Sequence, residues 1–124
     1  MRLKVLAVDD SATMRGLLSE ALSEAGFEAI LAEDGVDALE KIDERRPEVV
    51  ITDINMPRMD GFELIRSIRA RSDCRGMPIL VLTTESKQEL KDKARQYGAS
   101  GWIVKPFQDD RLLDAVRKVS NRAI

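Results

Sequence analysis

Five short apolar runs, at residues 3–8, 27–32, 49–52, 79–82 and 102–104, alternate with longer amphipathic segments along a chain of 124 residues. Each run has the length of a β-strand and is rich in Val, Ile and Leu. None shows the in-out alternation of a strand with one wet face, so the runs read as parallel strands covered on both faces. A parallel neighbour needs a crossover, and every intervening segment is long enough to supply one as a helix. The first is the clearest: Met14, Leu17, Leu18, Ala21, Leu22 and Ala25 fall on one helical stripe, with Ser11 placed to cap it and Gly26 to end it. Later stripes follow at Val36, Leu39 and Ile42; at Phe62, Ile65 and Ile68; at Leu90, Ala94 and Tyr97; and at Leu112, Val116 and Val119. The result is a (βα)5 α/β chain, an open doubly wound parallel sheet with right-handed crossovers.

A chain of this length hides roughly two thirds of its unfolded surface, enough for one domain with a real core. It needs no disulfide framework, and Cys74, the sole cysteine, reads as a loop residue without metal-ligand companions. Cysteine usage and the absence of a signal pattern or a membrane-length apolar run predict a cytoplasmic protein without a membrane partner. Twenty basic against 22 acidic residues give a net charge of −2, which offers no general pull toward nucleic acid.

Doubly wound sheets bind their ligands beyond the carboxyl ends of the strands, where the strand order reverses. At those ends stand Asp9 and Asp10, then Asp53, then Thr83 and Thr84, then Lys105 and Pro106. Taken singly, each has an ordinary reading: a helix cap for one of the acid pair, a loop aspartate, strand-end threonines, a solvated lysine and a trans X-Pro turn. Their coincidence at the ends of different strands favours a shared role. Clustered carboxylates repel one another unless a cation joins them, and hard oxygen donors with few protein ligands suit Mg²⁺ beside phosphate oxygens.

The runs VLAVDDSATMR, VVITDINMPRMDGFELI, PILVLTTES and GASGWIVKPF resemble the signature segments of bacterial two-component response-regulator receiver domains, of the stand-alone chemotaxis type. The resemblance covers the whole chain and implies a flavodoxin-like fold with strand order 2-1-3-4-5. It implies a single receiver domain over residues 1–124 with no effector domain, and a monomer. It further implies Asp53 as phosphoacceptor, with Asp10, Asp53 and the backbone carbonyl of Asn55 as direct Mg²⁺ ligands and Asp9 acting through a metal-bound water. Thr83 and Lys105 are then the groups on the phosphoryl oxygens, and the Lys105-Pro106 bond is cis. Such a chain is no turnover enzyme, although it catalyses its own phosphorylation from phosphohistidine and its own dephosphorylation.

Two positions depart from the usual pattern. Trp102 stands where similar receivers carry a Tyr or Phe that moves with the threonine; a half-buried aromatic that never moves is the plain alternative. Thr84 replaces a commonly smaller residue and narrows access to Asp53, so Thr84→Ala is expected to react faster with small phosphodonors; equal or slower labelling than wild type would sink that expectation. Asn55 and Glu85 flank the acceptor and are expected to tune access of water to the acyl phosphate.

The implied partners are a sensor histidine kinase as donor and a downstream protein bound on the fourth helix, fifth strand and fifth helix, residues 87–119. Lys87, Lys91, Arg95, Arg111 and Lys118 there suit an acidic or amphipathic peptide, such as one from a flagellar motor switch protein. A phosphotransfer intermediate or phosphate sink that binds no motor component is the alternative. A haloacid-dehalogenase-type phosphohydrolase would want a DxD motif after the first strand, and a dinucleotide or flavin binder a Gly-rich loop there; neither is present.

Overall fold

The computed structural model describes residues 2–122, with side chains described through Ser120. Strands β1 (Lys4–Val8), β2 (Glu28–Ala32), β3 (Val49–Thr52), β4 (Ile79–Thr83) and β5 (Gly101–Val104) alternate with helices α1 (Ala12–Glu24), α2 (Gly35–Arg45), α3 (Gly61–Ala70), α4 (Gln88–Tyr97) and α5 (Asp109–Arg122). All four pairings are parallel, in the order β2-β1-β3-β4-β5. Among the described residues no helix is long and apolar enough to cross a membrane.

The pleat divides the core in two. Leu6 and Val8 point to the side covered by α2, α3 and α4, where they meet Ile42, Leu64, Ile65 and Ile68. Val5 and Ala7 point to the opposite side, where α1 and α5 supply Leu18, Leu22, Leu112 and Val116. Burying side chains of this kind contributes about 1.5–3 kcal/mol each before the entropy of ordering them is counted. Because both faces are covered, β1, β3 and β4 read as apolar runs.

Local signals start and stop the helices. The Ser11 hydroxyl accepts the amide of Met14 at 3.2 Å, and Gly26 follows the helix at φ 89°. Asp34 caps α2 through the amide of Asp37 at 2.9 Å, and Asp60 caps α3 through Glu63 at 2.9 Å.

Three expectations need correction. Leu17 is 49% exposed, because Leu18, Ala21 and Leu22 already fill the arc of α1 that meets the sheet; Leu17 turns instead to a groove beside Pro106 and Phe107. The segment around Cys74 is a 3-10 turn at Ser72–Cys74, not an open loop, and it folds the thiol into the core beneath α3. The two outer strands are not covered on both faces: β2 pairs only with β1 and leaves Glu28, Ala29 and Leu31 half-buried, and β5 is the more open. It is an edge strand paired only with β4, its residues are half-buried, and Val104 is 38% exposed.

The register brings the chemistry to one rim. Val8 lies opposite Thr52, Thr52 opposite Val81, and Thr83 opposite Val104. Ladder bonding runs one residue past three strands: Asp9 N–H donates to Ala32 O at 3.0 Å, Asp53 N–H to Val8 O at 3.0 Å, and Lys105 N–H to Thr83 O at 2.8 Å. These three residues are held by the sheet itself, so their backbones are as rigid as the strands they extend.

Candidate functional site

At the centre of the rim the Lys105 ammonium lies 2.7 Å from a carboxylate oxygen of Asp9 and 2.7 Å from one of Asp53. The other Asp53 oxygen, Oδ1, accepts the amide of Ile54 at 2.6 Å and, more weakly, that of Asn55 at 3.4 Å. Asp9 Oδ1 accepts the amide of Ser11 at 2.9 Å, and the Arg15 guanidinium donates to the Asp9 carbonyl at 2.8 Å. Asp9 and Asp53 are buried, whereas Asp10 is exposed at the mouth. Burial works against a charged lysine here, but the hydrogen bonds and charges of Asp53 and Asp9 outweigh it and hold the Lys105 pKa above its ordinary value.

The donor set fits a hard divalent cation. One carboxylate oxygen from each of Asp9, Asp10 and Asp53 lies within 4.8 Å of the others, and all three belong to the class of ligand that such ions take. With Lys105 as the positive group, the cluster holds the Asp53 carboxylate with an ammonium on one oxygen and backbone amides on the other. Such a carboxylate is oriented to accept an electrophile, and the surrounding positive charge suits an incoming anionic one.

Thr83 is fully buried at the end of β4, with Oγ1 3.5 Å from the amide of Glu85, while Thr84 faces solvent at the rim. The Asn55 amide donates to a Glu85 carboxylate oxygen at 3.2 Å and so bridges the loops after β3 and β4. Trp102 is half-buried, and its indole N–H donates to the backbone carbonyl of Glu85 at 3.0 Å. The aromatic ring is thereby tied to the loop that follows Thr83 and begins with Thr84. The Lys105–Pro106 peptide bond is cis.

Asp9, Asp10, Asp53, Asn55, Thr83, Thr84, Glu85 and Lys105 fall around this rim, whereas Trp102 reaches it from within β5 through its bond to Glu85. Sequence reasoning missed their supports. Arg15, one turn into α1, braces the Asp9 backbone. Gly61 is a spacing requirement: a Cβ there would sit 2.2 Å from the Asp53 carbonyl oxygen. Arg58 donates twice to Asp34, at 2.7 and 3.0 Å, pinning the loop after β3 to the start of α2. The Asp-Gly at 34–35 was a readable helix start; nothing in the sequence said that its aspartate also faces Arg58.

Residues 5–117 match the family described as the response regulator receiver domain. The chain is 38% identical over 121 residues to chemotaxis protein CheY-3 of Vibrio cholerae serotype O1, across 97% of this chain and 93% of that protein. It is 40% identical over 119 residues to chemotaxis protein CheY1 of Helicobacter pylori, across 94% of this chain and 96% of that one. The structure of Vibrio cholerae chemotaxis protein CheY4 superposes with a TM-score of 0.92 at 44% identity, covering 96% of this chain and 99% of that chain.

Proposed function

The chain belongs to the response regulator receiver family, and from that premise we propose that it is a phosphorylatable switch in chemotaxis signalling with Asp53 as the acceptor. The observation that carries this reading is the placement of Asp53: one oxygen on Lys105 at 2.7 Å, the other on the amide of Ile54 at 2.6 Å.

An oxygen of Asp53 attacks the phosphorus of a phosphohistidine on a sensor kinase. The new O–P bond forms as the P–N bond breaks, and the imidazole leaves with its electron pair. In a loose, metaphosphate-like transition state the work is positioning and charge neutralisation. Lys105 supplies one positive charge and is already within reach of the oxygens it must serve. Mg²⁺ would be held by Asp10, Asp53 and the Asn55 carbonyl, with Asp9 acting through a water, and would supply further neutralisation of the phosphoryl charge.

Phosphorylation turns the Asp53 carboxylate into an acyl phosphate, moving the negative charge that faces Lys105 onto phosphoryl oxygens to which the Thr83 hydroxyl can turn. Thr83 and Trp102 meet the same β4–α4 loop, so a turn of Thr83 bears on the indole through Glu85. Asn55 and Glu85 bridge the mouth and meter the water that ends the signal. The single domain works as a monomer, and its output is a protein partner. The groove between α4 and β5, lined by Lys91, Arg95 and Trp102, takes an acidic or amphipathic peptide of the kind a flagellar motor switch protein offers.

One experiment covers acceptor, reporter and partner. Trp102 emission is followed while Mg²⁺ and then beryllofluoride, a phosphoryl mimic, are added to wild type and to Asp53→Asn. The motor protein's N-terminal peptide is then offered to each. Wild type is expected to respond to beryllofluoride only with Mg²⁺ present and to gain affinity for the peptide, and Asp53→Asn to do neither. An equal response in Asp53→Asn would overturn the acceptor assignment, and peptide binding indifferent to the mimic would overturn the output.

A further inference from the structure

Between Asp53 and α3 the chain crosses an irregular loop, residues 55–60, that includes Asn55. Its near end is fixed by the amides on Asp53, and its far end by the Gly61 amide on the Ile54 carbonyl at 2.9 Å. The middle is tied elsewhere. Arg58 sits at φ 63°, a left-handed conformation that a non-glycine residue holds only when its surroundings compensate. Its guanidinium grips Asp34 in a two-pronged pair, Nε to Oδ2 at 2.7 Å and Nη2 to Oδ1 at 3.0 Å.

Asp34 is a firm anchor. Its side chain is 3% exposed and also accepts the Asp37 amide at the N-terminus of α2, where the helix dipole favours a negative group. Burial opposes its charge, but the Arg58 hydrogen bond and the backbone amides prevail and hold its carboxyl below the usual aspartate range. Beside it the Gly35 amide donates to the Met59 carbonyl at 3.2 Å, and a Cβ at Gly35 would lie 2.6 Å from the Met59 side chain. The loop is therefore seated on the start of α2, which follows β2 at the same rim of the sheet, rather than on the Asp53 carboxylate.

We propose that the Arg58–Asp34 pair is a positioning clamp for the Asn55 backbone, setting the carbonyl of the acidic site from outside it. The inference rests on reading Asp9, Asp10, Asp53 and the Asn55 carbonyl as a Mg²⁺ site. A carbonyl in a loop is a good ligand only if its direction is fixed, and strand ladders fix Asp9 and Asp53 but not Asn55. Arg58 and Asp34 are positioning residues: neither touches the transferred group.

The test is calorimetric titration of MgCl2 into wild type, Arg58→Gln, Asp34→Asn and the double variant. Asparagine still caps α2, so Asp34→Asn removes the charge of the anchor while sparing the helix start. Each single variant is expected to bind Mg²⁺ ~10-fold more weakly, the lower end of the loss seen when a group that orients a ligand is removed. The double variant should be no weaker than the singles, because they break one clamp. Arg58→Lys, with charge but no fork, should fall between wild type and Arg58→Gln. Arg71→Gln breaks the Arg71–Asp43 pair between α3 and α2 away from the rim and should bind as wild type does.

Melting curves confirm that each variant is folded at the assay temperature; if Arg58→Gln is not, Asp34→Asn carries the test. Affinities within about twofold of wild type in the folded clamp variants would overturn the proposal, as would an equal loss in Arg71→Gln, which would mean general loosening. A wild-type chain that takes up no Mg²⁺ would sink the reading of the site beneath it, a result distinct from intact binding that ignores Arg58.

Discussion

Lys105→Met is expected to slow phosphorylation of Asp53 by ~10²–10³-fold, the range over which loss of one preorganised charge-stabilising donor is felt. Methionine keeps much of the stem and its packing but removes the ammonium that sits 2.7 Å from both Asp9 and Asp53. The developing charge on the transferred group would then lose its only lysine partner in the cluster. The same change should lower stability without added metal by about 2 kcal/mol, less than a fully buried pair would cost because exposed Asp10 keeps the site open to water. Added Mg²⁺ should shrink that deficit, because without the ammonium on Asp9 and Asp53 the variant's carboxylates bind the cation more tightly and gain more stability from it than wild type does.

The pH dependence has a definite sign. The Lys105 pKa is raised in the folded state, so its contribution is fully present below the unfolded lysine value and is lost only as pH climbs through the higher folded one. The gap between wild type and Lys105→Met should therefore persist from neutral pH into the alkaline range and close only beyond lysine's ordinary pKa. Phosphorylation rates from a small donor and urea melts with and without Mg²⁺ check both parts. A variant that labels as fast as wild type would remove Lys105 from the transfer step.

Gly61→Ala is the second large effect, and it acts without touching a charge. The added Cβ would lie 2.2 Å from the Asp53 carbonyl and 2.8 Å from the Ile54 Cα, both backbone atoms that cannot swing aside. The loop must shift, weakening the Gly61-to-Ile54 hydrogen bond and moving the acceptor. A loss of about 3 kcal/mol is expected, the upper end of ordinary overpacking, with slower phosphorylation in the fraction that folds. Gly16→Ala is the control: it lies in α1 with nothing within 4 Å of its added Cβ, and it should raise stability by roughly 0.5–1 kcal/mol. A urea midpoint for Gly61→Ala equal to that of wild type would show that the close approach at Asp53 relaxes freely.

The fold was legible because strands buried on both faces leave a simple trace: β1, β3 and β4 are unbroken apolar runs, and everything after their last residues had to meet at one rim. Asp9, Asp53, Thr83 and Lys105 stood out for that reason, and the receiver resemblance gave them roles. What the pattern could not carry was angle and distance. Leu17 satisfies the helical period as well as Leu18 does, and only the direction from which the sheet approaches decides which is covered. Two adjacent threonines end β4, and the pleat buries Thr83 while leaving Thr84 at the rim. Arg58 and Asp34 are 24 residues apart, on connections whose approach depends on how β2 and β3 flank β1. A surface arginine and a helix cap look ordinary until the sheet order is known.

The ion pair at the rim also bears on how the chain matures. Lys105 and Asp9 are separated by 96 positions, so the bond between them closes nearly the whole chain. Long-range closure of this kind is slow to form and comes after local helices. β5 is made after β1 and β3, and until it docks the acidic residues lack their lysine. Competence to accept a phosphoryl group therefore requires β5 to be in place. A half-made switch cannot send a signal.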